Sequence, residues 1–205
     1  IGMITLSAAR LVGARGRIWA VEPCPSNVER LREMVDLNQL TNVTVLPMGA
    51  GDQEAMLPFQ IVKETKGWST FAFRAPVPGL AYETTSIPVR PLDLSLPGDL
   101  GPNTFVKIDV EGYELHALRG MASLLQKHPA VVTEVEPSLL QNAGSQAGDL
   151  ERLLREQGYD GFYFEWVRSG LRHALTLRSV TGGIDPEVAR NVLWVHPQSL
   201  FRTRL

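Results

Sequence analysis

Lys107-Ile108-Asp109-Val110-Glu111-Gly112-Tyr113-Glu114 is the stretch that decides the fold. The run Thr104-Phe105-Val106-Lys107-Ile108 has the apolar, β-branched character of a short strand, and it stops abruptly on acids and a glycine. Leu115, Leu118, Ala122 and Leu125 then recur at helical spacing. Strand, acidic turn and helix in that order make up half of a parallel crossover unit, and the same rhythm continues on both sides. Toward the carboxyl end, Ala130 to Val135 reads as a further strand, and Leu150, Leu153 and Leu154 as a helix closed by Gly158. Phe162 to Val167 and Leu171 to Leu177 read as a hairpin around Ser169-Gly170, and Val192 to Val195 as a last strand. Toward the amino end, Ile4, Ala8, Leu11 and Val12 share a helical face, and Ile18-Trp19-Ala20-Val21 is a short buried strand. Ser26-Asn27-Val28-Glu29 has the pattern of a capping box that opens a helix with Val28, Leu31 and Val35 on one face. A Thr41-Asn42 turn leads into the strand Val43 to Leu46.

Alternating helices and strands predict an α/β, doubly wound and mostly parallel sheet with an antiparallel C-terminal hairpin, in a single domain over residues 1–205. Residues 53 to 100 interrupt the alternation. Met56 to Ile61 and Ile87 to Val89 read as strands, while Lys66 to Thr70 and Ala75 to Gly79 read as loop. A long irregular segment in a compact domain is usually functional, so residues 62 to 86 are expected to form a substrate loop or lid.

Composition narrows the classes. The 205 residues are 44% hydrophobic and 20% charged with a net charge of −2, which supplies no basic field for nucleic acid or anionic lipid. No apolar run is long enough to cross a bilayer. Cys24 is the single cysteine, so no internal disulfide can form, and a reducing, cytoplasmic setting is expected. His116, His128, His173 and His196 lack metal-ligand spacing, and no metal is expected.

In open α/β sheets, ligands bind beyond the carboxyl ends of the strands. Glu22 ends one strand, where its two oxygens can match the vicinal diol of a ribose; it is equally a solvated acid before Pro23. Gly51-Asp52 ends the next, and Asp52 can accept from an exocyclic adenine amine or simply make a turn. Asp109 and Glu111 end the strand quoted first, where clustered carboxylates raise a pKa and suit a general base. Glu114 reads as a first-turn helix acid favoured by the macrodipole. Glu134 and Glu136 straddle Val135, and an acid inside so apolar a strand needs a partner. Ser69 and His116 are candidates for touching substrate, against structural roles for both.

Together these stretches resemble the FkbM-type family of S-adenosylmethionine-dependent methyltransferases. The likeness is carried by Ile1 to Ala9, Ala20-Val21-Glu22-Pro23 with Asn27, Val89-Arg90-Pro91-Leu92-Asp93, and above all Val106 to Glu114 followed by Leu118-Arg119-Gly120. It implies a seven-stranded Rossmann-like sheet whose first strand and glycine-rich loop precede Ile1, so the natural protein is expected to extend upstream. It also implies S-adenosyl-L-methionine as cofactor and a small hydroxylated acceptor, a sugar or secondary metabolite. On this resemblance Gly2 belongs to the first loop and Glu22 to the ribose site, with Pro23 and Asn27 also among the cofactor-binding residues. Gly51 and Asp52 fall on the adenine side, and Asp109 and Glu111 beside the transferred methyl. Asp109 or Glu111 would take the hydroxyl proton while Glu134 orients the hydroxyl. Two other readings fit a strand-end Glu22: an NAD(P)-dependent oxidoreductase, and a non-catalytic methyltransferase domain kept for binding a partner.

Overall fold

The structure, a computed structural model, describes residues 2–169, 172–185, 188 and 190–202. Its elements are α1 (Met3–Val12), β1 (Ile18–Val21), α2 (Pro25–Leu37), β2 (Val43–Leu46), β3 (Gly49–Ala50), β4 (Ala55–Val62), β5 (Tyr82–Arg90), α3 (Leu92–Ser95) and β6 (Phe105–Ile108). There follow α4 (Glu114–Arg119), α5 (Ala122–Leu125), β7 (Ala130–Val135), α6 (Pro137–Asn142), α7 (Ala147–Glu156), β8 (Asp160–Ser169), β9 (Arg172–Ser179) and β10 (Arg190–Val195).

The strands form three sheets, which corrects the expectation of one seven-stranded, mostly parallel sheet. β1 pairs with β2 in parallel; five strands run in the order β6-β7-β10-β8-β9; and β3, β5 and β4 form a third sheet. β6 and β7 are parallel, but β10 is antiparallel to both its neighbours, and β8 and β9 make the expected C-terminal hairpin. Its Ser169-Gly170 turn falls partly outside the described residues. Among the described residues β1 and β6 each lie at the edge of their own sheet, with no backbone pairing between the two. The core is nonetheless shared. Val21 and Leu46 from one sheet and Val106, Ile108 and Val110 from the other pack with Leu115, Leu118, Leu150 and Leu154 into one cluster. Trp194 is fully buried there, and its indole N–H donates to Thr133 Oγ1 at 3.0 Å, so its one polar group is satisfied.

Other boundaries moved for local reasons. α2 starts one residue before the predicted capping box, with Pro25 in the first turn and no side-chain cap, because proline pre-sets the helical φ. The capping box that does form is on α7, between Gln146 and Asp149. The helix predicted after Glu114 is split into α4 and α5 at Gly120-Met121, where the Gly51 carbonyl comes so close that a Cβ at Gly120 would lie 1.9 Å from its oxygen. β5 runs back to Tyr82, so the end of the predicted 62–86 loop is strand and the irregular segment is 63–81. Part of that segment is itself ordered, since Thr70 exchanges backbone hydrogen bonds with Gln60 of β4. Among the described residues, no helix is long and apolar enough to cross a membrane.

Candidate active site

The parallel pair β6–β7 brings the principal acids together. Lys107 and Asp109 lie two residues apart, and the Lys107 ammonium donates to Asp109 Oδ2. β7 carries Glu134, whose carboxyl oxygen lies within 4.8 Å of one on Asp109, so the two carboxyl groups perturb each other. Burial pushes Asp109 up, but the bonds from Glu134 and Lys107 outweigh it and hold its carboxyl below the ordinary range. Glu134 moves the other way, to about 8, through burial first and then the hydrogen bond and charge of Asp109, with Glu111 and Glu114 adding to it. The two carboxyls shift each other in opposite directions, so their titration belongs to the pair.

Between them the chain makes a tight turn. Glu111 has φ +55° and Gly112 φ +102°, and a Cβ on Gly112 would lie 2.5 Å from the Leu139 carbonyl oxygen. A left-handed, non-glycine residue here is a strained arrangement that its surroundings must enforce. Burial raises the Glu111 carboxyl; the Arg74 guanidinium opposes this, and the charges of Asp109 and Glu136 add to it. One oxygen each from Asp109, Glu111 and Glu134 lie within 4.8 Å of one another, close enough for a divalent cation to bridge them. No metal was expected from the sequence, but these three carboxylates would be its ligands.

The irregular segment closes over this turn. Arg74 pairs with Glu111 Oε2, donates from Nε to the Trp68 carbonyl at 3.2 Å, and stacks over the Trp68 ring. Thr70 Oγ1 donates to the Glu111 carbonyl at 2.6 Å and accepts from the Ala72 amide. Asn142 of α6 donates to the Phe73 carbonyl. Phe71 packs between Phe59 and Tyr113, with ring centroids at 4.6 and 5.2 Å. Ser69 is buried, and its hydroxyl accepts from the Val62 amide at 3.2 Å. That bond ties the segment to β4.

Glu22 sits just past β1 at the start of α2. Its Oε1 accepts from the Cys24 amide at 2.9 Å and from Asn27 Nδ2 at 3.3 Å. Burial raises its carboxyl, and those two bonds pull it back. Asn27 is 3% exposed and its Oδ1 has no hydrogen-bond partner, an orphaned acceptor directly beside Glu22. Such a group calls for a ligand or water, and it matches the donor-rich diol of a ribose. Pro23 is half-buried between β1 and α2. Gly2 caps α1 at φ +74° and packs on α2, where a Cβ would meet Leu31 and Met34.

Asp52 follows β3 and meets His116 of α4, with Nδ1 3.3 Å from its Oδ2. The His116 ring stacks on Tyr113 at 4.2 Å, and Nε2 lies 3.4 Å from the Ala143 carbonyl. His116 is thus engaged by Asp52, the acid expected on the adenine side. Gly51 owes its lack of a side chain to packing, since a Cβ there would come within 2.4 Å of Val89.

The structure therefore assembles Asp109, Glu111 and Glu134 in one cluster, Glu22, Pro23 and Asn27 in a second, and Gly51, Asp52 and His116 in a third. Sequence reading did not reach Arg74, Thr70 or Lys107 as partners of the cluster. Arg74 lies 37 residues before Glu111, in a segment without periodicity. Lys107 carried a signal, a cation two residues before an acid on a strand, which places both on one face.

A family model described as "Methyltransferase FkbM domain" matches residues 3–160. A crystal structure of methyltransferase FkbM from Methylobacillus flagellatus KT is similar in fold, with a TM-score of 0.50 and 21% sequence identity. That similarity covers 94% of this chain but 41% of the other, so the chain spans less than half the length of its structural neighbour. No curated protein matches.

Proposed function

Because the chain belongs to the FkbM methyltransferase family, we propose that it takes part in transferring a methyl group from S-adenosyl-L-methionine to a hydroxyl oxygen of a small acceptor, a sugar or secondary metabolite. The observation that carries this reading is the Asp109–Glu111–Glu134 cluster: three carboxylates whose proton affinities are pushed apart, gathered from β7 and from the turn that the 63–81 segment covers.

When bound, the cofactor supplies a methyl on a positively charged sulfur, already electrophilic. The chain's own task is then to place the acceptor and take its proton. Glu22 has one oxygen committed to Cys24 and Asn27, and its other oxygen, with the orphaned Asn27 Oδ1, holds the ribose. Asp52, oriented by His116, takes the adenine amine.

A neutral alcohol is a poor nucleophile, so a base must accept its proton during attack, a contribution on the order of 10²–10⁴-fold. Electrostatics favour Glu111 for this step. Its carboxyl is raised by burial, whereas Asp109 is held low by Lys107 and Glu134 and so remains ionised. Asp109, fixed by Lys107 and set beside Glu134, orients the hydroxyl with it. Glu111 accepts the proton once the acceptor has displaced Arg74 from it. Trp68, Phe73 and Val77 expose apolar surface on the covering segment and supply the wall that selects the acceptor.

Calorimetric titration with S-adenosylhomocysteine and with NAD, followed by a labelled-methyl screen over hydroxylated acceptors, tests the proposal. Binding of NAD alone would favour the oxidoreductase reading. Cofactor binding with no acceptor methylated would favour a binding module.

A further inference from the structure

We propose that Glu114 is a positioning residue for the acidic turn, holding Glu111 and Asp109 in place by accepting hydrogen bonds from the backbone on either side of Glu111. Only the catalytic consequence rests on the methyl-transfer reading; the structural role does not.

Glu114 opens α4 and is 1% exposed, unlike an ordinary first-turn acid. Its Oε1 accepts from the Val110 amide at 3.1 Å and from the Gly112 amide at 3.2 Å. Those amides flank Glu111, whose φ is +55°. The Glu111 carbonyl is held from the opposite side by Thr70 Oγ1, and its carboxylate by Arg74. The strained residue is thus gripped at both neighbouring amides, its carbonyl and its side chain, the over-determination that such a conformation needs.

The cost of placing Glu114 there strengthens the argument. Its Oε2 is buried and has no hydrogen-bond partner. Burying a carboxyl with an unsatisfied oxygen is unfavourable, and a methionine or leucine would fill the volume without that penalty. What the apolar residue could not do is accept from Val110 and Gly112. Burial also raises the Glu114 carboxyl to about 7, against the pull of its backbone bonds. Oε1 accepts from the amides whether or not Oε2 carries a proton, so the hold survives either protonation state.

The test uses NMR on the protein and two variants. Glu114→Gln keeps an acceptor oxygen in place; Glu114→Met keeps length and helix compatibility but has no acceptor. In the native protein, through-hydrogen-bond couplings link the Val110 and Gly112 amides to the Glu114 carboxyl carbon. Hydrogen exchange at these two amides accelerates by about 10-fold or more in E114M, the scale of losing one hydrogen bond, and stays within about threefold in E114Q. Ala117 and Leu118 exchange unchanged in both. Acceleration confined to these two amides in E114M and absent in E114Q is a selective rescue that a generally loosened fold would not give. Absent couplings in the native protein, or unchanged exchange at the two amides in E114M, would overturn the proposal. Should E114M fail to fold, the native couplings and E114Q decide it: missing couplings, or release of both amides in E114Q, count against it. Failure of S-adenosylhomocysteine to bind would refute the methyl-transfer reading and leave all of these readouts intact.

Discussion

Replacing Gly112 with alanine perturbs the turn that presents the acids while leaving every charged group in place. Gly112 has φ +102°, a region L-residues enter at a cost of roughly 1–3 kcal/mol. The added Cβ would also lie 2.5 Å from the Leu139 carbonyl oxygen, 2.6 Å from its carbonyl carbon and 2.7 Å from its Cβ. Two of these atoms are backbone near the start of α6, so no side-chain rotation relieves the clash. Overpacking of this kind adds about 1–3 kcal/mol. Together these give an expected loss of about 4 kcal/mol, or roughly 8–16 °C in Tm at ~2–4 °C per kcal/mol for a domain this size. Urea unfolding at pH 7 measures it. Gly148 provides the control: it is exposed in α7 with nothing within 4 Å of a Cβ, so G148A should stabilise by about 0.5–1 kcal/mol. A G112A protein within about 1 kcal/mol of the native one would refute the tight turn, and with it the argument that Glu111 is held in a strained conformation.

Three further outcomes follow from the same geometry. Glu111→Gln should lower turnover of an identified acceptor by about 10²–10⁴-fold while S-adenosylhomocysteine affinity stays within a few-fold; native-like turnover would remove Glu111 as the base. Glu114 has a raised carboxyl, so its contribution to stability is complete below pH 4.5 and is lost as pH rises through about 7. Chemical unfolding across that window should show the native protein losing about 3 kcal/mol relative to E114Q, and parallel curves would contradict the burial of a neutral carboxyl. Thr133→Val strands the buried Trp194 N–H and should cost about 1–3 kcal/mol by urea titration, whereas no loss would show that the indole finds another acceptor.

Much of this arrangement was legible in the sequence, for identifiable reasons. β1, β2 and β7 have the bounds that their short apolar runs predict, because such runs have few alternatives once turns bracket them. The pairing of β4 with β5 was not legible, since a ladder between Ala55–Val62 and Tyr82–Arg90 leaves no local periodic trace across the intervening loop. α6 was missed because its buried apolar residues are the adjacent Leu139 and Leu140, too few to display a helical period. The acids at the strand ends stood out because charge interrupts apolar runs. Their partners did not: Arg74 and Thr70 reach Glu111 through tertiary folding alone. Glu114 lies in the first turn of α4 as expected, but its burial was not legible, since an acid there looks the same whether it faces water or accepts from a buried turn. The Val89-Arg90-Pro91-Leu92-Asp93 stretch has a role no motif discloses: Asp93 accepts from the Ser123 and Leu124 amides and anchors the start of α5.

The central claim is that Glu22 and Asn27 form a nucleoside grip serving the carboxylate cluster. Calorimetry with S-adenosylhomocysteine, comparing the native protein with Glu22→Ala, tests it most directly. Saturable binding by the native protein, weakened at least tenfold by the substitution, is the result expected. Equal affinity in the two proteins, or heat released by NAD and none by S-adenosylhomocysteine, would contradict it.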